Sequence, residues 1–270
     1  MSAHEVLLRR VLSGCRTMDY PDGPAPALPD RHRGALRVDG TRCAPDCSAC
    51  MAVCPTEAID RSGPGPIALD LGRCISCGAC VEACPNGAIT ETRDHRLAVR
   101  RREDLIIGAP GSEQVRLAAT LDETLRRLLG RSLRLRQVSA GGCNACEADT
   151  NVLGTIGWDL GRFGIQFVAS PRHADGLLIT GAVSKNMQLA LEKTYAAVPA
   201  PKIVIAVGAC AIAGGPFVGH PQVCDGAAST VPIDLFIPGC PPHPLTILDG
   251  LLRLLGRLGE DRAPVRTSAP

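Results

Sequence analysis

Cys43-Ala44-Pro45-Asp46-Cys47-Ser48-Ala49-Cys50-Met51-Ala52-Val53-Cys54-Pro55 is followed by Cys74-Ile75-Ser76-Cys77-Gly78-Ala79-Cys80-Val81-Glu82-Ala83-Cys84-Pro85, and the second run repeats the first. Cys47, Cys50 and Cys54 recur 30 residues later as Cys77, Cys80 and Cys84, and the tails match too, Cys-Pro-Thr-Glu-Ala-Ile against Cys-Pro-Asn-Gly-Ala-Ile. Cys43 alone is out of register with Cys74, by one residue. Tightly and regularly spaced cysteines, in a chain that holds 14 of them, read as metal ligands rather than disulfides if the compartment keeps thiols reduced.

The spacing decides which metal. C-x2-C-x2-C-x3-C-P is the bacterial ferredoxin run, in which three close thiolates grip one cubane and the fourth reaches across to the other cluster. On that rule Cys43, Cys47, Cys50 and Cys84 bind one [4Fe-4S] cluster, and Cys74, Cys77, Cys80 and Cys54 bind a second. Structural zinc is the competing reading of C-x2-C pairs. It does not explain a four-cysteine run made twice and closed each time by proline. The extra residue between Cys43 and Cys47 is the one departure, expected to distort the first ligand loop or to alter the potential or lability of that cluster.

Composition bounds the remaining classes. The 270 residues suit one or two domains. Charged residues at 21% and hydrophobic ones at 45% fit a folded globular chain. Aromatics are only 3%, so the core is expected to rest on Leu, Ile, Val and Ala, helped by something that is not amino acid. Basic and acidic residues number 14 and 14 before Pro110, and 15 and 13 after it. With no positive block, nucleic acid and anionic membrane have little electrostatic hold on the chain. The longest apolar runs, such as Ile203 to Ala213, fall short of the roughly 20 residues a span needs, so no direct membrane span is expected. Arg9-Arg10 has the pair of a twin-arginine signal, but Ser13, Gly14, Cys15 and Arg16 follow with no apolar region between, and a cytoplasmic location is expected.

Upstream of the repeat, Glu5 to Leu12 reads as a short amphipathic helix. Tyr20-Pro21, a proline-rich stretch and Pro29-Asp30-Arg31-His32-Arg33-Gly34 then predict an extended arm packed on the ferredoxin core. After Ile89, Leu97 to Val99 and Leu105 to Ile107 read as a hairpin or paired extended pieces. Gly108-Ala109-Pro110-Gly111 breaks the chain. Ser112 as N-cap, with Val115, Leu117, Leu121, Leu125, Leu128 and Leu129 at helical spacing, predicts a connecting helix up to Gly130. This sets three parts: residues 1–110, a connecting helix over 111–132, and residues 133–270.

From Leu133 strand and helix alternate. Leu133 to Val138, Gln166 to Ala169, Gly176 to Thr180, Lys202 to Val207 and Ile233 to Pro238 predict a parallel, doubly wound α/β sheet. Cys143 and Cys146 follow the first of these strands, Cys210 the fourth and Cys240 the fifth. Strand carboxyl ends are where open α/β sheets place ligands, and four thiolates there make a third [4Fe-4S] site. Zinc on four cysteines is again the alternative. Gly141-Gly142, Gly208, Gly214-Gly215 and Gly239 allow close backbone approach. No G-x-G-x-x-G follows the first strand and no G-K-[ST] occurs, which argues against a nucleotide site. Cys15 and Cys224 receive no role. His173 and His220 read as structural, with tuning of the third cluster the alternative for His173.

Gly141-Gly142-Cys143-Asn144-Ala145-Cys146-Glu147, Phe163-Gly164-Ile165, Ser170-Pro171-Arg172-His173-Ala174-Asp175, Thr180-Gly181, Pro201-Lys202, Gly208-Ala209-Cys210-Ala211 and Pro238-Gly239-Cys240-Pro241-Pro242 together resemble, in order, the small subunit of group 4 membrane-bound [NiFe] hydrogenases, homologous to the complex I subunit that carries the terminal cluster. The likeness covers about residues 133 to 256. The Tyr-Pro, basic and Arg-Gly order of the arm, followed by cysteines, resembles the ferredoxin-like subunit of formate hydrogenlyases and of complex I. Cys143-x2-Cys146 looks like the hydrogenase form, since the complex I subunit typically has adjacent cysteines. Ala182 stands where the family usually has proline, and His243 where it usually has arginine.

The resemblance implies a fusion: an α+β two-cluster ferredoxin domain, then a flavodoxin-like, doubly wound α/β domain. It implies an electron-transfer subunit of an oxidoreductase, with three [4Fe-4S] clusters. A [NiFe] large subunit acts in trans, since no paired C-x2-C motifs remain here for a nickel centre. Antiporter-type membrane subunits are expected partners, and a peripheral position on the inner face of the cell membrane is the expected location. The matching glutamate of hydrogenase small subunits implies for Glu147 a role in proton movement at the large-subunit interface, the alternative being a residue that only holds the loop. A nickel-free, complex I-like assembly is the nearest rival, and a free-standing ferredoxin-like carrier or a zinc scaffold the rival of another class.

Overall fold

The computed structural model describes residues 2–61, 67–108 and 115–258. Helix α1 (Ala3–Ser13) opens the chain, closed at its N-terminus by a reciprocal pair of bonds between Ser2 and Glu5. Strand β1 (Leu36–Val38), helix α2 (Ala49–Ala52), strands β2 (Ile59–Asp60) and β3 (Ala68–Asp70), helix α3 (Ala79–Ala83) and strands β4 (Ile89–Glu91) and β5 (Ile106–Ile107) follow. Strand β1 pairs antiparallel with β4, and β2, β3 and β5 form an antiparallel sheet. This small α+β unit places α2 and α3 30 residues apart, as the repeat requires.

The second half runs through α4 (Glu123–Leu129), β6 (Leu133–Ser139), α5 (Ala145–Val152), β7 (Ile165–Phe167), β8 (Gly176–Thr180), α6 (Lys185–Ala197), β9 (Ile203–Val207), α7 (Ala209–Ala213), β10 (Leu235–Ile237) and α8 (Pro244–Leu254). Its strands pair in parallel in the order β7-β6-β8-β9-β10. Numbered within the sheet this is 2-1-3-4-5, consistent with a flavodoxin-like α/β fold. Strands β8 and β9 are buried at every position, which is why Gly-Leu-Leu-Ile-Thr and Ile-Val-Ile-Ala-Val read as continuous apolar runs rather than alternating ones. Strand β7 begins at Ile165, just after Gly164 (φ +67°), where an added Cβ would stand 2.1 Å from the Arg131 carbonyl oxygen. The strand therefore starts one residue before the predicted Gln166 and ends before Val168.

Three local expectations are corrected. The segment 115–122 is not helical; α4 starts at Glu123 with Asp122 as its cap, the side chain accepting from the Leu125 amide, while Ser112 lies outside the described residues. Tertiary hydrogen bonds override the apolar period here: the Ala118 amide donates to Ala98 O at 2.8 Å and the Leu121 amide to Leu254 O at 3.0 Å. Leu97–Val99 and Leu105–Ile107 do not pair with each other. Val99 instead exchanges both backbone bonds with Phe236, at 3.0 and 2.8 Å, and so covers the open side of edge strand β10, while β5 pairs with β3. The arm packs across the second half. Tyr20 is buried there, its hydroxyl donating to Asp249 Oδ1 at 3.0 Å on α8, and Arg162 donates to the carbonyls of Met18 and Tyr20 at 2.7 and 2.6 Å.

The apolar cores therefore run across the sequence boundary. One joins Tyr20 and Ala98 to Leu133, Ile205, Ile237, Leu248 and Leu251. Another joins Leu36, Ile67, Leu69 and Leu105 to Ala206, Ala211, Ile212 and Phe236. Gly250 on α8 lies so close to Ala98 that an added Cβ would meet the Ala98 Cβ at 2.7 Å.

Candidate metal centres

The thiol repeat builds two sites with exchanged members. Cys54, Cys74, Cys77 and Cys80 line one cavity, together with Ile59, Leu69 and Gly78. Cys43, Cys47, Cys50 and Cys84 line the other, together with Ile67, Pro85 and Ile89. The last cysteine of each run thus faces the cavity of the other run. Helices α2 and α3 carry Cys50 and Cys80, both buried, so one thiol of each set is fixed by a helix.

Backbone amides are already aimed at sulfur. The Ala58 amide donates to Cys54 Sγ and the Ala88 amide to Cys84 Sγ, both at 3.2 Å, another pair 30 residues apart. The Ser76 amide donates to Cys74 Sγ at 3.3 Å. Such donors stabilise thiolate charge. Burial opposes it: the Cys80 thiol is pushed up to about 12 by burial, then by Cys74, Cys77 and Cys54, and Cys74 up to about 11 by burial above all. For Cys84, burial raises the pKa, but the amides of Ile89, Ala88, Asn86 and Gly87 outweigh it and hold the thiol below its ordinary value. Cys74 and Cys80, which burial holds in the thiol form beside one another, need a cationic group to become thiolate ligands together. The donor set and cavities suit a group of several atoms bound through thiolates, as an iron–sulfur core is.

The third set lies at the carboxyl edge of the parallel sheet. Cys143 follows β6, Cys146 sits in the first turn of α5, Cys210 in the first turn of α7 behind β9, and Cys240 behind β10. Cys146 and Cys210 are half-buried, while Cys143 and Cys240 are exposed. Two glycines make room for sulfur. A Cβ on Gly208 (φ +90°) would stand 2.5 Å from Cys146 Sγ, and one on Gly215 (φ +57°) 2.7 Å from Cys210 Sγ. Cys146 is pushed up to about 12 by burial, then by Cys210, Glu147, Cys240 and Cys143. Cys210 is pushed up to about 11 by burial, then by Cys240, Cys143 and Glu147. The four thiols thus lie within one another's field.

Glu147 is 6% exposed and ties two strand ends together, its Oε1 accepting from Ser139 Oγ at 2.6 Å and from Thr180 Oγ1 at 2.7 Å. Ser139 ends β6 and Thr180 ends β8, the strands between which the sheet order reverses direction and where ligands enter such folds. Burial raises the carboxyl, but the two hydroxyls and a backbone donor outweigh it and hold the group below the usual carboxylate range.

His173 stands elsewhere. It is exposed, on a turn that precedes β8, at the sheet edge opposite the thiols, so the tuning role weighed for it has no geometric support. Cys15 is exposed, and buried Cys224 donates to Gln188 Oε1 at 3.4 Å. Sequence reading missed the polar junction under α8. Asp249, fully buried, accepts from Tyr20 and from Arg253 Nε at 2.7 Å, and His95 Nε2 stands 4.0 Å from its Oδ1. The signal was present: an acid and an arginine four residues apart in the otherwise apolar Pro-Leu-Thr-Ile-Leu-Asp-Gly-Leu-Leu-Arg-Leu.

Sets of converging thiols, on a doubled repeat and at the edge of a parallel sheet, define an iron–sulfur electron-transfer protein. Residues 67–90 match the 4Fe-4S binding domain, and residues 143–254 match the family described as NADH ubiquinone oxidoreductase, 20 Kd subunit. A probable membrane-bound hydrogenase subunit, mbhJ, of Pyrococcus furiosus is 39% identical over 149 residues, covering 55% of this chain and 89% of that protein. Formate hydrogenlyase subunit 7 of Escherichia coli is 41% identical over 142 residues, covering 53% of this chain but only 56% of that protein. An NADH-quinone oxidoreductase subunit of Geotalea uraniireducens is 42% identical over 121 residues, covering 45% of this chain and 71% of that protein. The chain belongs to the NADH ubiquinone oxidoreductase 20 kDa subunit family, and these relatives are subunits of oxidoreductase complexes.

Proposed function

We propose that this chain is the electron-transfer subunit of a membrane-associated group 4 [NiFe] hydrogenase or formate hydrogenlyase-like complex. It passes electrons through three [4Fe-4S] clusters to or from a large catalytic subunit held in trans. The observation that carries this reading is the placement of twelve cysteines: four lining each of two cavities of the repeat, and four behind β6, β9 and β10 at the carboxyl edge of the sheet. Bound there, the clusters would supply one-electron carriers. Residues 1–110 hold two of them and residues 133–270 the third, joined through 111–132.

The chain's own residues prepare each site. Amides of Ala58, Ala88 and Ser76 donate to the sulfurs of Cys54, Cys84 and Cys74. Gly208 and Gly215 leave the space that Cys146 and Cys210 sulfur occupies. Exposed Cys143 and Cys240 put the mouth of the third site on the surface where a large subunit would cover it. Glu147, ionised at neutral pH by its hydroxyl partners, is the group proposed to take up and release protons at that interface.

The hydrogenase reading rests on Cys143-x2-Cys146 and on the Pyrococcus and Escherichia relatives. The similarity to the Geotalea NADH-quinone oxidoreductase subunit favours a second reading, a complex I-like assembly without nickel. Among the described residues no helix is long and apolar enough to cross a membrane, which supports attachment through partners, antiporter-like subunits among them. Anaerobic affinity purification of the full chain from its host tests the proposal. A stoichiometric large subunit containing nickel is expected. A large subunit without nickel selects the second reading, and a chain that purifies alone as a brown protein selects the free carrier.

A further inference from the structure

Three residues, Ala44, Pro45 and Asp46, separate Cys43 from Cys47, where Ile75 and Ser76 alone separate Cys74 from Cys77. The longer loop carries one more peptide group to satisfy beside a ligand sulfur. A single side chain does much of this. Arg61, half-buried immediately after β2, donates from one guanidinium nitrogen to Ala44 O at 3.2 Å and to Pro45 O. From the other it donates to Cys47 O at 3.1 Å and to Cys43 Sγ at 3.1 Å. The guanidinium thus reaches four acceptors of one ligand loop, one of them the sulfur itself.

The second half of the repeat is built differently. Thirty residues after Arg61 the chain has Glu91, not a base. The cation near that loop is Arg33, which comes from the arm, donates to Ser76 O at 2.9 Å and lies 3.7 Å from the Glu91 carboxylate. Its charge is shared with an acid and its hydrogen bond goes to a carbonyl. The local donor to Cys74 is the neutral Ser76 amide.

We infer that Arg61 is a positioning and tuning residue: it closes the widened Cys43–Cys47 loop and raises the reduction potential of the cluster held there above that of its twin. This rests on the reading that Cys43, Cys47, Cys50 and Cys84 hold a [4Fe-4S] cluster. Reduction adds one electron to the core and its thiolates, with no bond made or broken and no proton moved, and Arg61 stays protonated throughout. An N–H···S bond from a fixed cation stabilises the more negative, reduced state, and hydrogen bonds to sulfur and local charge are among the determinants of such potentials. The extra residue therefore does more than distort a loop. It presents carbonyls that hold a guanidinium against the sulfur and makes two nearly identical halves electrically unequal.

The test uses the anaerobically purified full chain with its clusters, iron and sulfide counted, and a redox titration followed by electron paramagnetic resonance. In Arg61→Gln, iron content stays at wild-type level and one of the potentials moves down. At a fixed solution potential the reduced-to-oxidised ratio of that cluster falls about tenfold, equivalent to about 59 mV for a one-electron couple. The other potentials stay in place, Arg61→Lys moves the same signal by less, and Arg33→Gln leaves it unmoved. Potentials unchanged in both Arg61 variants, with iron intact, would overturn the inference and leave the clusters standing. Loss of iron in both variants would make Arg61 a brace alone and also overturn the tuning. A wild-type chain with no iron on these thiols would overturn the underlying reading and the inference with it.

Discussion

At the scale of single residues, Glu147 concentrates the chemistry of the sheet edge: a buried carboxylate, directly after Cys146, that accepts two hydroxyl bonds. Glu147→Gln keeps the shape and one accepting oxygen but removes the titrating group. Iron and sulfide content should stay at wild-type level, while hydrogen turnover by the assembled complex falls by an order of magnitude or more, since positioned acid–base groups contribute about 10²- to 10⁴-fold. Unchanged turnover would leave Glu147 a tie between β6 and β8 and nothing more. The grouping of the repeat's thiols around two cavities was legible in the sequence because the spacing is local: three thiols of each run fall within eight residues, and the last of each run lines the other run's cavity. Arg61 was not legible as a contact to Cys43, because nothing in the spacing tells which of many arginines turns toward a sulfur.

At the scale of elements, α8 is the piece on which the arm, the thiol-repeat half and the sheet meet. Tyr20 binds Asp249 across 229 residues of sequence, and Asp249 in turn holds Arg253. Tyr20→Phe leaves the apolar ring in place and removes one bond to a buried carboxylate, a loss of about 1.5–3 kcal/mol. A lower Tm is expected, with cleavage of the arm ahead of the substituted residue at protease levels that spare the wild type. Equal cleavage rates would show that the arm is held by other contacts. The alternation of strands was readable because buried parallel strands announce themselves as short apolar runs. The junction was not, since its hydrogen bonds join segments far apart, and the same long-range bonds straightened 115–122 out of its apparent helical period.

At the scale of the whole molecule, three histidines mark the seam between the parts. Burial above all lowers His32, His95 and His243 below the ordinary histidine value of 6.5. For His95, Asp249 and Asp94 oppose that shift, and Arg96 and His32 reinforce it. A histidine kept neutral in the folded state binds fewer protons there than when unfolded, so stability is full above about pH 6.5 and is lost as pH falls below it. The Tm should therefore drop between about pH 7.5 and about pH 5.5, and His95→Phe should show a shallower slope. Equal slopes would mean that the seam does not sense this group. The two halves share apolar cores, so their cofactors are expected to be gained and lost in one folded body rather than in separable modules.

The central claim, three four-thiol sets each holding a [4Fe-4S] cluster, is tested most directly by iron and acid-labile sulfide analysis of the anaerobically purified full chain. The account predicts about 12 iron and about 12 sulfide per chain. A value of about 8 of each would contradict it, by showing that one of the three thiol sets carries no cubane.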